Sequence, residues 1–289
     1  MKTNNDKEKI RQAVRENYGK VANAGAVTLQ PNQPAACCSP ADISVETSTA
    51  APCGCGELDF TPEQMSAAMG YTKENLAGVP EGANLGLGCG NPVVLASLKP
   101  GETVVDLGSG GGFDCFLASE KVGANGKIIG VDMTAEMITK ARNNAEKMGT
   151  ENVEFRLGEI EHLPVADNSA DVIMSNCVIN LSPDKQQVYS DAFRILKPGG
   201  RLAISDIVAT TPIPEEMQKN LALVSACVGG AATIDDTKEM LKGAGFENIK
   251  IEPKDESRDL ISMWAPGHNA GDFIVSAYIE AQKPFPNIS

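Results

Sequence analysis

TVVDLGSGGGF, residues 103–113, passes from an apolar, β-branched run into glycines and then into a helix beginning at about Phe113. The run favours a buried strand. Glycines let a ligand lie against the backbone, and the unpaired N–H groups opening a helix favour negative charge. KIIGVDM, residues 127–133, reads as a second strand ending in Asp132, twenty residues past Gly112. A carboxylate there can accept hydrogen bonds from ribose hydroxyls. Strand, glycine loop, helix, strand and terminal acid in that order make a nucleotide-cofactor site, a far stronger signal than glycines alone.

The same alternation extends outward. VEFRLG (153–158), DVIMSN (171–176), RLAISDIV (201–208), ENIKIEPK (247–254) and FIVSAYIEAQ (273–282) read as strands. Thr134 caps the helix AEMITKARNNAEKMG, and Ser182-Pro183-Asp184 opens another that LKPGG, residues 196–200, closes. Seven strands with intervening helices predict a doubly wound, Rossmann-like α/β sheet. Residues 209–233 do not fit a strand-to-helix connection and read as an insertion after the fifth strand. Residues 1–20 read as a charged helix, and 31–58 as a flexible arm rich in Pro, Ala, Ser and Cys. Order resumes at TPEQMSAAMG, where Thr61 and Gln64 form a capping box around Pro62. The expected division is therefore 1–58, helix and Cys-rich arm, and 59–289, the α/β domain.

Bulk composition excludes several roles. The 289 residues carry 25 basic and 38 acidic side chains, a net charge of −13 that argues against a nucleic-acid surface. No apolar run approaches the ~20 residues of a membrane span, and MKTNNDKEKIRQ is no secretory signal, so the expected compartment is the cytoplasm. Eight cysteines stand at 37, 38, 53, 55, 89, 115, 177 and 227, against only two histidines. In a reducing compartment they are poor candidates for structural disulfides. His162 and His268 read as surface residues with no chemistry.

Ligands of open α/β sheets sit beyond the carboxyl ends of the strands. Cys177 follows Asn176 at the end of the fourth strand, and Cys227 lies in the insertion leaving the fifth. Cys89, in ANLGLGCGNP, precedes a helix of seven or eight residues leading back to the first strand. That helix, if antiparallel to the strand, returns Cys89 to the same edge. Its positive end predicts a thiolate at Cys89, and Gly88 and Gly90 predict an uncrowded sulfur. Cys115, on the helix after the glycine loop, reads as core.

TVVDLGSGGGF, FRLGEIEHLP and LKPGGRLAISD together resemble the motifs of the class I S-adenosylmethionine-dependent methyltransferases over roughly residues 100–283. The resemblance implies Asp106 before the loop, Gly108, Ser109, Gly110 and Gly112 around the methionine moiety, and Asp132 on the ribose. It implies Met133 and Glu159-Ile160 around the adenine, with Asn176 at the end of the fourth strand. ANLGLGCGNP, MSNCVINLSPD and CVGGA narrow it: together they are similar to the arsenite methyltransferases, whose arsenic-binding cysteines match Cys89, Cys177 and Cys227. Trivalent arsenic is soft and thiophilic, keeps a lone pair when bound by three sulfurs, and needs no general base to accept a methyl group. Leu87-Gly88 stands where some relatives carry aromatic residues.

The arm's four thiols leave three readings open: exposed cysteines, a thiol relay, or a structural zinc site. Family members have an upstream relay cysteine, for which Cys37 or Cys38 is the nearer match. The resemblance also implies a thiol reductant, thioredoxin or glutathione, as partner. Two other functions stay in view: a methyltransferase of a small organic molecule such as a quinone, and a thiol-rich metalloid or zinc sensor. Neither the charge nor the motifs report an oligomeric state.

Overall fold

Alternating side chains along the apolar runs face opposite sides of a sheet, and both sides are covered. The structure, a computed structural model, describes residues 3–24, 61–262, 264 and 267–286. Seven strands form one sheet: β1 (Thr103–Leu107), β2 (Lys127–Asp132), β3 (Val153–Leu157), β4 (Ala170–Asn176), β5 (Leu196–Ala209), β6 (Glu247–Lys254) and β7 (Ile274–Gln282). Their order is β3-β2-β1-β4-β5-β7-β6, parallel except for β7, which runs antiparallel to both neighbours. The expected doubly wound α/β sheet of seven strands is what the chain forms.

The helices are α1 (Asn4–Ala24), α2 (Pro62–Ala68), α3 (Lys73–Ala77), α4 (Pro92–Ala96), α5 (Phe113–Val122), α6 (Ala135–Met148), α7 (Lys185–Ile195), α8 (Glu215–Lys219), α9 (Leu221–Ser225), α10 (Ile234–Ala244) and α11 (Arg258–Ser262). Val104, Ile128, Val172 and Met174 pack on one face against Cys115, Phe116 and Val122 of α5. Val105, Ile129 and Ile173 pack on the other against Val188 and Ile195 of α7 and Leu241 of α10. That inversion between adjacent residues is the period-two signature of strands buried on both sides.

Two local expectations are corrected. The helix after Cys89 is α4, five residues and not seven or eight, because Ser97 turns left-handed at φ 46° and ends it. The fifth strand begins at Leu196, taking in LKPGG. Ala170 pairs with Leu196 and the register then slips before Val172 meets Arg201, a bulge that Gly199 permits at φ 80°.

Three features shape the site. The chain winds out from β1 to β3 and returns at β4, so β1 and β4 are neighbours whose outgoing loops diverge, the switch point where a crevice opens. Short helices α8 and α9 fill the insertion and carry Cys227 back over β5. Helix α1 lies across this edge, burying Ile10 and Val14 in the cluster that contains Cys89, Cys177 and Cys227. Arg11 pairs with Glu159 and Glu161 at 3.3 and 3.2 Å, and Lys7 with Asp184 at 2.5 Å.

Candidate active site at the carboxyl edge of the sheet

A cavity of about 1030 Å³ opens where β1, β2 and β4 end. Gly108, Ser109, Gly110 and Gly111 line it. The loop is drawn tight by bonds from the Gly108 and Ser109 N–H groups to the Val131 carbonyl, 2.8 and 3.0 Å. Gly108 sits at φ 69°, and a Cβ there would overlap the Val178 side chain, so only glycine fits. Ser109 Oγ is buried without a partner, a donor and acceptor free for a ligand.

Asp106, Asp114 and Asp132 are the carboxylates beside the glycine loop that face this space. Asp132 accepts from Gly110 N–H at 3.0 Å and Thr134 N–H at 2.8 Å. Burial pushes its carboxyl up despite those bonds. Asp114 accepts from Tyr71 Oη at 2.6 Å and Asn176 Nδ2 at 3.1 Å, and burial raises it to about 6. Asp106 is held well above the usual carboxylate range by burial first and then by the charge of Asp114. Cys115, buried in the core as expected, donates its thiol to Asp106 at 3.2 Å. Neither Asp106 nor Asp114 has a cationic partner among the described residues, which suits the pair to a cationic ligand.

Of the residues expected around the cofactor, Asp106, Gly108, Ser109, Gly110, Asp132, Met133, Ile160 and Asn176 line the cavity, while Gly112 and Glu159 do not. Gly112 caps α5 at φ 92°, where a Cβ would press on Phe155 and Phe116. Glu159 is engaged by Arg11 and Arg15 of α1.

The three distant cysteines meet beside this cavity. The Cys89 and Cys177 sulfurs lie within 4.8 Å of each other, and Cys227, outside that tight pair, donates its thiol to the Cys177 carbonyl at 2.9 Å. Cys177 and Cys227 line the cavity, with Cys89 just beneath it at 7% exposure. Both Cys177 and Cys227 take left-handed backbone, at φ 57° and 62°. That conformation is costly for a residue with a Cβ, and such outliers gather at functional sites.

The expected Cys89 thiolate is overturned. Burial pushes its thiol up, with the Cys177 thiol only partly offsetting this, and a five-residue helix has little dipole to oppose desolvation. Cys177 is held well above the usual thiol value by its two thiol neighbours and then by burial. Nor is the Cys89 sulfur uncrowded, since it is buried with Ser205 Oγ at 3.7 Å and Asn176 Oδ1 at 4.0 Å. A Cβ at Gly88 would lie 2.9 Å from Asn176 Nδ2, and one at Gly90 would overlap Ser205 Oγ, so the glycines admit close approach of neighbours.

Sequence reasoning missed Asp206, whose carboxylate lies within 4.8 Å of the Cys89 and Cys177 sulfurs. It accepts from Ile179 N–H and Asn180 Nδ2, both at 2.9 Å, and burial raises it to about 6. Its signal was present: LKPGGRLAISD carries it to the ligand edge of β5. Tyr71 and Tyr18 also reach the site and had no local signal. Trp264 lines the cavity, whereas His162 and His268 are exposed as expected. Cys37, Cys38, Cys53 and Cys55 lie outside the described residues, as does the whole arm.

A doubly wound sheet with a glycine-lined, carboxylate-rich cavity at its switch point defines the nucleotide-cofactor class of α/β proteins. Residues 98–245 match the family described as a methyltransferase domain. The arsenite methyltransferase of Halobacterium salinarum is 51% identical over 98% of this chain and 69% of its own length. That of Aquipseudomonas alcaligenes is 44% identical over 57% of this chain, and the match spans 49% of the relative. The arsenic(III) S-adenosylmethionine methyltransferase structure from Chlamydomonas reinhardtii is 30% identical at a TM-score of 0.57, covering 77% of this chain and 74% of that one. This chain belongs to the arsenite methyltransferase family.

Proposed function

We propose that this protein transfers a methyl group from S-adenosylmethionine to trivalent arsenic held by Cys89, Cys177 and Cys227. The observation that carries this reading is the convergence of three thiols, 50 residues and more apart, beside a glycine-lined cavity. A quinone methyltransferase would give those thiols no task, and a metalloid sensor would give the cofactor cavity none.

The cavity fits the cofactor by its donor set. Asp106 and Asp114 offer carboxylates to a cationic amino acid moiety, and Asp132 keeps lone pairs for ribose hydroxyls. Ser109 supplies an unpartnered hydroxyl, and Met133 and Ile160 supply apolar surface for a base. S-adenosylmethionine, when bound, supplies an electrophilic sulfonium methyl.

Arsenous acid loads by exchange: three thiols give their protons to three leaving hydroxides, three As–S bonds form and three waters depart. Protonated thiols therefore suit the loading step, since each proton has a destination. The arsenic lone pair then forms the As–C bond as the C–S bond breaks, its electron pair passing to the sulfonium sulfur. Since no proton is lost, the site needs no base. The chain's contribution is positioning, the principal lever for a reaction between two held partners. Methylation oxidises arsenic by two electrons, and two cysteines closing as a disulfide would return it to the trivalent state. A thiol reductant, thioredoxin or glutathione, then restores them, and Cys37 or Cys38 is the candidate relay. Such chemistry belongs in a reducing cytoplasm. No helix among the described residues is long and apolar enough to cross a membrane.

Replacing Cys89, Cys177 or Cys227 singly by Ser should lower arsenite-dependent S-adenosylhomocysteine formation by about a hundredfold or more, as loss of a positioning contact does. Full activity in all three variants would refute the reading.

A further inference from the structure

We infer that the Asn176 side-chain amide is a positioning residue of the arsenic site, setting the distance between the Cys89 and Cys177 sulfurs. This rests on the three-thiol reading above. Asn176 Oδ1 accepts the Cys89 N–H at 3.0 Å, and Asn176 Nδ2 donates to the Gly90 carbonyl at 3.0 Å. The Cys89 N–H and the carbonyl of the next residue are thus gripped by the one amide. Because Asn176 is peptide-bonded to Cys177, that grip fixes one thiol-bearing segment against the other.

The amide cannot turn over. Nδ2 also faces Tyr71 Oη at 3.0 Å and Asp114 Oδ2 at 3.1 Å. Tyr71 spends its own proton on Asp114 Oδ1 at 2.6 Å, so its oxygen is left to accept. A flipped amide would set its oxygen against a carboxylate and its NH₂ against the Cys89 N–H, which fixes the orientation from the network. Gly88 completes the fit, since a side chain there would press on the amide. From the other side, Ser276 Oγ donates to the Cys89 carbonyl at 2.5 Å. The loop is pinned at three backbone atoms, and its thiol lies at 3.7 Å from Ser205 Oγ and 4.0 Å from Asn176 Oδ1.

Two variants address this independently: N176L, which keeps the volume and removes every bond, and G88A, which pushes the loop off the amide. Each is titrated with arsenite alone and with S-adenosylhomocysteine alone, and N176L is repeated in a C89S background. Loss of a part-buried hydrogen-bond pair predicts arsenite affinity about tenfold weaker in both variants, with a smaller change for S-adenosylhomocysteine. The N176L effect should largely vanish when Cys89 is already Ser, the non-additivity expected of residues acting through one another. An equal N176L penalty with and without Cys89 would overturn the inference, as would weakening of S-adenosylhomocysteine alone. Unchanged arsenite affinity in C89S by itself would instead remove the three-thiol reading, and this inference with it.

Discussion

Buried carboxyls dominate the chemistry of single residues here. Asp114 and Asp206 are raised to about 6 and Asp106 is raised further in direction, each first by burial. In an unfolded chain all three return to the ordinary carboxylate range. Between the unfolded and folded values the folded state binds more protons, so stability falls as pH rises through that window. Groups shifted the other way, such as Glu154 at about 2, are ionised in both states above that range and contribute no slope. The ligand-free chain should therefore melt at a higher temperature at about pH 5.5 than at about pH 7.5, and D206N should narrow the gap. Scanning calorimetry at the two pH values measures it, and a lower melting temperature on the acid side would contradict this assignment of cause. Of these three, Asp106 and Asp114 line the cavity proposed for a cationic cofactor, and Asp206 lies by the Cys89 and Cys177 sulfurs.

At the scale of elements, α1 is the piece whose contribution the sequence concealed. Its charged pattern was legible as a helix, yet nothing in residues 1–20 indicated what it would cover. Only the fold places Val14, 2% exposed, against the cysteine cluster, with Arg11 clamped to Glu159 and Glu161. Val14→Ala should cost about 2 kcal/mol for two methyl groups and the space they leave. It should also speed the reaction of Cys177 and Cys227 with an aromatic disulfide reagent. Unchanged reaction rates with an unchanged melting temperature would mean that α1 does not seal the site. Strands and the capping box at Thr61 were readable because each is local: a β-branched run, a hydroxyl three residues before an amide. The short α4 was misread because Ser97 turns left-handed under tertiary contacts that no local signal announces.

The whole molecule explains why the cofactor half of the site was legible and the thiol half only in outline. Thr103 to Asp132 form one continuous strand-loop-helix-strand unit, so spacing along the chain maps onto spacing in space. Cys89, Cys177 and Cys227 come from three segments, and only the sheet order, with β1 beside β4 and β4 beside β5, brings them to one rim. Their number and approximate edge could be argued from strand ends. The protonation of Cys89 could not, because burial outweighs the end of a five-residue helix. The account stands on arsenic being held there by sulfur alone. Arsenic K-edge X-ray absorption tests this most directly, on the arsenite complex of a chain with Cys37, Cys38, Cys53 and Cys55 replaced by Ser. Three sulfur neighbours and no oxygen are predicted, with one sulfur exchanged for oxygen when Cys89, Cys177 or Cys227 is also Ser. Oxygen in the unaltered site, or a first shell indifferent to those three substitutions, would contradict it.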